Sequence, residues 1–283
     1  MRKFKNIILI LVCGLCALLA CGVLLAIASA IAFRGFPALS WQFFTEQIRL
    51  VGASGGIFHN LVGTFILIGS ALVVSVPLAV SLALLEEVYL AQSGAREKLL
   101  QFLYLLNGIP SILFGLFGLI VFVKYLNLGK SWLSGGILLG LMILPTVTIA
   151  LIERIASIPP RYAEAAAGLG LRKSQIVWSV VVPQSLSGLV TGSLLGLARA
   201  AGETAPIMFT ATIFAGATFP TGIKESPVLS LPYHIFILAQ DSFDPAVGEK
   251  LWGTALTLLG LVVLLSIIAL PLRLRIHEEA RLN

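Results

Sequence analysis

Six long apolar runs divide the chain, at approximately Ile7–Phe33, Ile57–Leu85, Leu99–Val123, Leu133–Ile152, Leu186–Ala215 and Leu251–Leu272. Each approaches or exceeds the roughly 20 residues a helix needs to cross a hydrocarbon core of about 30 Å. The runs are continuous rather than alternating, so their backbone polar groups are satisfied within helices and a closed barrel is excluded. The pattern predicts an all-α, polytopic membrane protein with six transmembrane helices. Two longer polar stretches stand out, an inner one from about 153 to 185 and an outer one from about Gly216 to Lys250, the latter rich in turn formers with Pro220, Gly222, Pro227, Pro232 and Pro245.

Composition agrees with the pattern. Only 11% of the 283 residues are charged and 58% are hydrophobic, whereas soluble domains carry charge on about a quarter of their positions. The first run follows Arg2, Lys3 and Lys5 but is too long for a signal-peptide core, so it reads as a retained helix. All three cysteines, Cys13, Cys16 and Cys21, lie within it, and Cys13-x-x-Cys16 reads as small apolar side chains rather than a metal site.

Six spans put both termini on one side. With the N-terminus inside, inner segments hold Arg2, Lys3, Lys5, Arg96, Lys98, Arg154, Arg161, Arg172, Lys173, Arg273, Arg275 and Arg281; outer ones hold Arg34, Arg49, Lys124, Lys130, Lys224 and Lys250. This excess of inner cations orients both termini toward the cytoplasm. It also accounts for the net charge of +6 without nucleic acid as a partner.

The inner stretch has a local logic of its own. Pro159 and Pro160 end one helix and start the next, Arg161–Leu169 is Ala-rich, and Gly168 and Gly170 permit a sharp turn. Ser174 is a candidate cap for a second short helix, with Ile176, Val177, Val180 and Val181 at amphipathic spacing until Pro183 interrupts it. A helix–turn–helix knuckle is expected to project into the cytoplasm.

Its residues resemble the cytoplasmic signature of permease subunits of bacterial ABC importers: Glu164-Ala165-Ala166, three residues, Gly170, nine residues, then Val180-Val181-Val182-Pro183, with valines in place of the usual Ile and Leu. In the fifth run, Arg199-Ala200-Ala201-Gly202-Glu203-Thr204-Ala205-Pro206 looks like the motif of phosphate-importer permeases of the PstA type. Gly63-Thr64-Phe65, Val76-Pro77-Leu78-Ala79, Gly108-Ile109-Pro110-Ser111 and Leu231-Pro232-Tyr233 agree, so the resemblance runs from about residue 56 to the end. It implies a type I ABC importer permease fold, with residues 1–55 as a first helix and outer loop and 56–283 as a five-helix core. It further implies phosphate transport in a bacterial inner membrane, with Arg199, Glu203 and Thr204 on the substrate pathway. Glu164, Ala165, Ala166, Gly170 and Pro183 would couple to an ATPase dimer carrying ATP and Mg. The remaining implied partners are a PstC-like second permease and an extracytoplasmic phosphate-binding protein.

Independently of the resemblance, Arg199 and Glu203 sit inside an apolar run, where an ionised group is costly unless it faces protein or a wet cavity. Four residues apart on a helix they share a face, beside a small-residue stripe of Gly188, Gly192, Gly196 and Ala200 suited to close helix contact. The pair reads either as a cationic point on an anion's path or as a buried salt bridge that locks the span. Prolines 77, 110, 145 and 206 interrupt four spans and read mostly as packing kinks.

Two other classes fit less well. Gly52-Ala53-Ser54-Gly55-Gly56 matches the G-x-S-x-G of hydrolases and the shorter pattern of rhomboid-type proteases, but no later span holds a histidine; His59, His234 and His277 lie at a span entrance, in the outer stretch and in the tail. A glycine-rich turn is the expected role. A secondary transporter would carry several intramembrane carboxylates, and Glu203 alone is well inside a span. The chain has no G-x-x-x-x-G-K-[ST] sequence, so ATP would be bound by another subunit.

Overall fold

A computed structural model describes residues 2–49, 54–213, 219–241 and 244–281. Helix α1 (Arg2–Gly35) leads through a short 3₁₀ turn and α2 (Trp41–Thr45) into a two-stranded antiparallel ribbon, β1 (Ile48–Arg49) and β2 (Ser54–Gly55). Then come α3 (Phe58–Leu84) with a π-helical turn Leu85–Tyr89, α4 (Ala95–Gly108), α5 (Ser111–Gly118) with a π-helical extension Leu119–Tyr125, and α6 (Trp132–Ala156). The rest is α7 (Pro160–Gly168), α8 (Lys173–Ile176), a π-turn Val177–Val181, α9 (Val182–Gly202), α10 (Ala205–Thr210), α11 (Leu231–Gln240) and α12 (Pro245–Arg281).

Among the described residues, five helical stretches are long and apolar enough to span a bilayer, and six if α4 and α5, bent by 93° between Gly108 and Ser111, count as one span. The predicted six runs are thus recovered, but the third is a sharp elbow rather than a kinked rod.

The centre of the bundle is α6, sandwiched between α3 and α9, with Leu138, Leu139, Met142, Ile143 and Val147 fully buried. Inside lipid there is little hydrophobic drive to bring helices together, so close backbone approach must supply dispersion contacts. Small residues provide it. A Cβ on Gly192 would stand 3.0 Å from Ala150 Cβ and 3.1 Å from the Val147 carbonyl, and one on Gly196 would stand 3.1 Å from Val147 Cγ2. The expected glycine stripe of α9 therefore packs on α6, and Gly140 does the same against α3, 2.9 Å from the Ala71 carbonyl.

Pro77 and Pro145 lie inside continuous helices, consistent with packing kinks, whereas Pro110 and Pro206 stand at true chain breaks. The α1 span is almost wholly uncovered, from Ile8 to Phe33, and its three cysteines are free and exposed. It is pinned at its outer end, where the Arg34 guanidinium lies 4.9 Å from the Trp252 ring centre.

The outer stretch departs from the open loop that its prolines suggested. Ser226–Ser230 runs back across the bundle: Gly63 leaves no room for a Cβ beneath the Leu229 carbonyl, Ala211 O accepts from the Val228 amide (3.0 Å), and Thr64 Oγ1 accepts from the Leu231 amide (2.9 Å). Helix α11 then buries Leu231, Leu238 and His234. Buried away from water and near the Lys250 cation, His234 has its pKa lowered to about 4.

Candidate functional site

Two chain breaks meet at membrane depth. The first separates α4 from α5 at Ile109-Pro110, where proline cannot continue a helix and pushes its predecessor to extended angles (Ile109 ψ 128°). The second ends α9 at Gly202, with Glu203 extended (φ −78°, ψ 128°) and Pro206 in the first turn of α10. Gly115 and Gly118 let α5 lie against α10, a Cβ on Gly115 coming within 2.7 Å of the Phe209 ring and 3.0 Å of the Ala205 carbonyl.

Between the breaks is a polar cluster. Arg199 Nη1 donates to Asn107 Oδ1 at 2.5 Å and to Thr146 Oγ1 at 3.3 Å, while its Nε stands 3.9 Å from Glu203 Oε1. The Ser111 hydroxyl is beside the Glu203 carboxylate, at the start of α5. The expected pairing of Arg199 with Glu203 on one helical face is corrected in its geometry: Glu203 is beyond the helix, and the nearest partners of the guanidinium are neutral. Thr204, the residue before α10, is half-buried and makes no capping bond with its side chain.

Depth follows from Thr146. It stands ten residues before the inner end of α6 and fourteen after the outer end, about 15 and 21 Å at 1.5 Å per residue. The cluster is therefore near mid-membrane, and it is open: the Arg199 side chain is 33% exposed and Asn107 lies at the surface. Exposed Leu105, Ile112 and Leu113 flank it. A charge and irregular backbone at this level persist only against another protein surface or a water-filled cavity. The cluster therefore marks a face that lipid does not cover.

Asn107 and Thr146 were not singled out from sequence. Asn107 precedes the Gly-Ile-Pro elbow and Thr146 follows Pro145, and a search for polar residues beside intramembrane prolines would have found both.

The predicted knuckle forms as α7, a turn and α8. Pro160 opens α7, and its end is closed by Gly170 N–H to Ala167 O (2.9 Å) and Leu171 N–H to Ala166 O (3.2 Å), with Gly170 at φ +80°. That left-handed angle is the reason for glycine, since a Cβ there would meet nothing within 4 Å. Glu164 and Ala165 are exposed, Ala166 is buried, and Leu169 and Trp178 are 82% and 70% exposed. Two expectations change. Arg172, not Ser174, precedes the second helix, its amide bonded to Gln175 Oε1 (2.8 Å). Pro183 does not interrupt that helix either, because the π-turn Val177–Val181 absorbs the missing donor. Lys173 to Gly202 is one helical rod of 30 residues. It runs from the knuckle into the bundle and carries Arg199 about 39 Å along its length.

Ser54-Gly55 of the hydrolase-like pattern forms the β2 strand, while Gly52 and Ala53 lie outside the described residues.

A bundle with broken helices around a mid-membrane charge and a projecting inner knuckle defines a transport permease. Residues 75–277 match the family described as binding-protein-dependent transport system inner membrane component, and the chain belongs to that family. The phosphate transport system permease protein PstA of Haemophilus influenzae is 32% identical over 214 residues, covering 74% of this chain and 73% of its own length. The probable PstA of Methanocaldococcus jannaschii is 30% identical over 284 residues, 99% and 97% of the two chains. A chain of the MetNI methionine ABC transporter, solved in inward-facing conformations, superposes with a TM-score of 0.52 at 18% identity over 80% of this chain and 93% of its own. That likeness shows the fold, the type I ABC importer permease.

Proposed function

We propose that the chain is one of two permease subunits of an ATP-driven phosphate importer, forming half of the translocation pathway. The observation that carries this reading is the Arg199 guanidinium, held by neutral Asn107 and Thr146 at mid-membrane on an open face. Neutral partners orient the cation without cancelling it, and Glu203 is too distant to do so fully. A forked guanidinium suits a tetrahedral oxyanion. Thr204 and the start of α5 border the same space. The relatives named PstA support phosphate as the anion.

In this reading a PstC-like second permease covers the open face. An ATPase dimer, carrying ATP and Mg, receives Glu164, Ala165, Ala166 and the Gly170 turn, with the exposed Leu169 as an apolar anchor. Pro183 lies within the rod that bears Arg199, ten residues past its start at Lys173, so displacement of the knuckle shifts the cation. This chain holds no cofactor and performs no covalent chemistry. Both termini are cytoplasmic, by the inner excess of cations, and an extracytoplasmic phosphate-binding protein docks on the outer face. Radiolabelled phosphate uptake by the reconstituted complex tests the assignment: saturable, ATP-dependent uptake that excess sulfate or molybdate leaves unchanged is expected. Competition by sulfate or molybdate at equal concentration would assign the pathway to another oxyanion.

A further inference from the structure

The α3–α4 corner, at the inner end of the bundle, holds a charged group that packing does not require. Glu86, in the π-turn after α3, is fully buried, yet Ala83, Leu103, Ile152 and Ile155 around that corner form an apolar cluster. Arg96 Nε donates to Glu86 Oε1 at 2.6 Å and its Nη2 to Glu87 Oε1 at 2.5 Å, while Glu86 Oε2 has no hydrogen-bond partner. A half-satisfied buried carboxylate contributes less to stability than an apolar side chain of the same size would. Its place there calls for a role in position.

Three facts say what is positioned. Tyr89, in the same π-turn, takes the Lys173 ammonium 5.0 Å from its ring centre, and Lys173 begins the rod immediately after the Gly170 turn. Arg96 stands in the first turn of α4, whose last turn carries Asn107 to Arg199. Leu103 is the single fully buried residue of α4. Arg96, Leu103 and Asn107 are 7 and 4 residues apart and fall on one helical face. Helix α4 is therefore a strut about 17 Å long between those two residues, fastened at one end beside the knuckle, seated once in the middle, and bonded at the other end to the mid-membrane cation.

We propose that Glu86 and Arg96 are positioning residues that fasten α4 to the coupling knuckle, so that movement of the knuckle reaches the Arg199 site through Asn107 as well as through the α8–α9 rod. The proposal rests on the reading of the knuckle as the ATPase contact. It gives the site two mechanical inputs, one moving Arg199 and the other its hydrogen-bond partner. When both move together the Asn107–Arg199 bond is kept; when the α4 input is cut, ATP-driven movement of the rod no longer sets the geometry of the site.

The test uses the complete complex in proteoliposomes, with Cys13, Cys16 and Cys21 replaced by Ser. Gly108→Cys reports on the strut, since that position is exposed and a Cβ there meets nothing within 4 Å. Without further change its thiol reactivity should shift on adding ATP. Arg96→Met should abolish that shift and raise the ATP hydrolysed per phosphate carried at least threefold. Tyr89→Ala, at a side chain 55% exposed and so little needed for folding, should act in the same direction even if Arg96→Met does not assemble. A clamp that only stabilises the fold would lower hydrolysis and uptake together, leaving ratio and labelling response unchanged, and that result in Tyr89→Ala would overturn the proposal. Labelling is read without phosphate. A wrong substrate would therefore show in the uptake of the unmodified chain alone, and a wrong knuckle assignment as unimpaired ATPase binding and uptake by Gly170→Asp.

Discussion

Replacing Asn107 with Asp changes almost nothing in shape and one whole charge on the pathway. The Asn107 Oδ1 already accepts from Arg199 at 2.5 Å, and a carboxylate oxygen can occupy the same place. The variant should therefore assemble, with Arg199 now neutralised by a close ion pair. An anion passing the cluster at about 5 Å from the new charge, in a wet site of effective dielectric about 20, meets a repulsion of roughly 3 kcal/mol. That corresponds to a fall in phosphate uptake of about two orders of magnitude. Asn107→Ala is the matched control. It removes one hydrogen bond of the guanidinium but leaves the cation and its bond to Thr146, so uptake should fall clearly less than in the Asp variant. Initial rates of uptake in proteoliposomes, normalised to assembled complex, separate the two. Equal loss in Asp and Ala would refute the electrostatic argument and leave Asn107 as a purely mechanical tie.

Three other outcomes follow from particular contacts. Gly192→Ala should destabilise the detergent-solubilised chain by about 1–3 kcal/mol, because its Cβ would press on Val147 and Ala150, whereas Gly22→Ala, open on all sides, should leave the melting temperature unchanged. In a chain without its own cysteines, Thr221→Cys should react with impermeant thiol reagents from outside and Ser174→Cys should not; Ser226, although in the same outer stretch, is buried and hydrogen-bonded to the Gly222 amide and should be inert. With its pKa lowered from 6.5 to about 4, His234 stays neutral in the fold while the unfolded outer stretch gains a proton. Stability should therefore be unaffected above about pH 7 and fall by on the order of 3 kcal/mol as pH drops from 6.5 to 4, a loss that His234→Gln should remove when proteolysis of the outer stretch is followed against pH.

Hydropathy located the spans because it sums composition, and composition is what lipid selects. It carries no direction, so it could not distinguish a kink at Pro77 from the 93° elbow at Pro110. The elbow depends on Gly115 and Gly118 opening a seat for α5 on α10, a contact between segments some 90 residues apart. The same limit applies to Glu203: its spacing from Arg199 suggested a helical pair, but the break set by Pro206 lies one turn earlier than an apolar run reveals. Pro183 erred in the opposite direction, since a π-turn lets the helix continue through it. The knuckle was legible because its signals are local, with proline opening α7 and glycine closing it at φ +80°. The outer stretch was not, because its burial rests on Gly63 and Thr64 of α3, far away in sequence, which accept its backbone flush against the bundle.

Whether Arg199 serves the anion or merely the bundle is decided most directly by one measurement: phosphate uptake by the assembled complex carrying Arg199→Met and Glu203→Leu together. Both replacements are close in volume and remove the charges as a pair, so a structural salt bridge should be dispensable. Assembly without measurable uptake is the predicted result, with Arg199→Lys alone partly active because the fork is lost. Uptake at the unmodified rate by the double variant would contradict the pathway role of the cation.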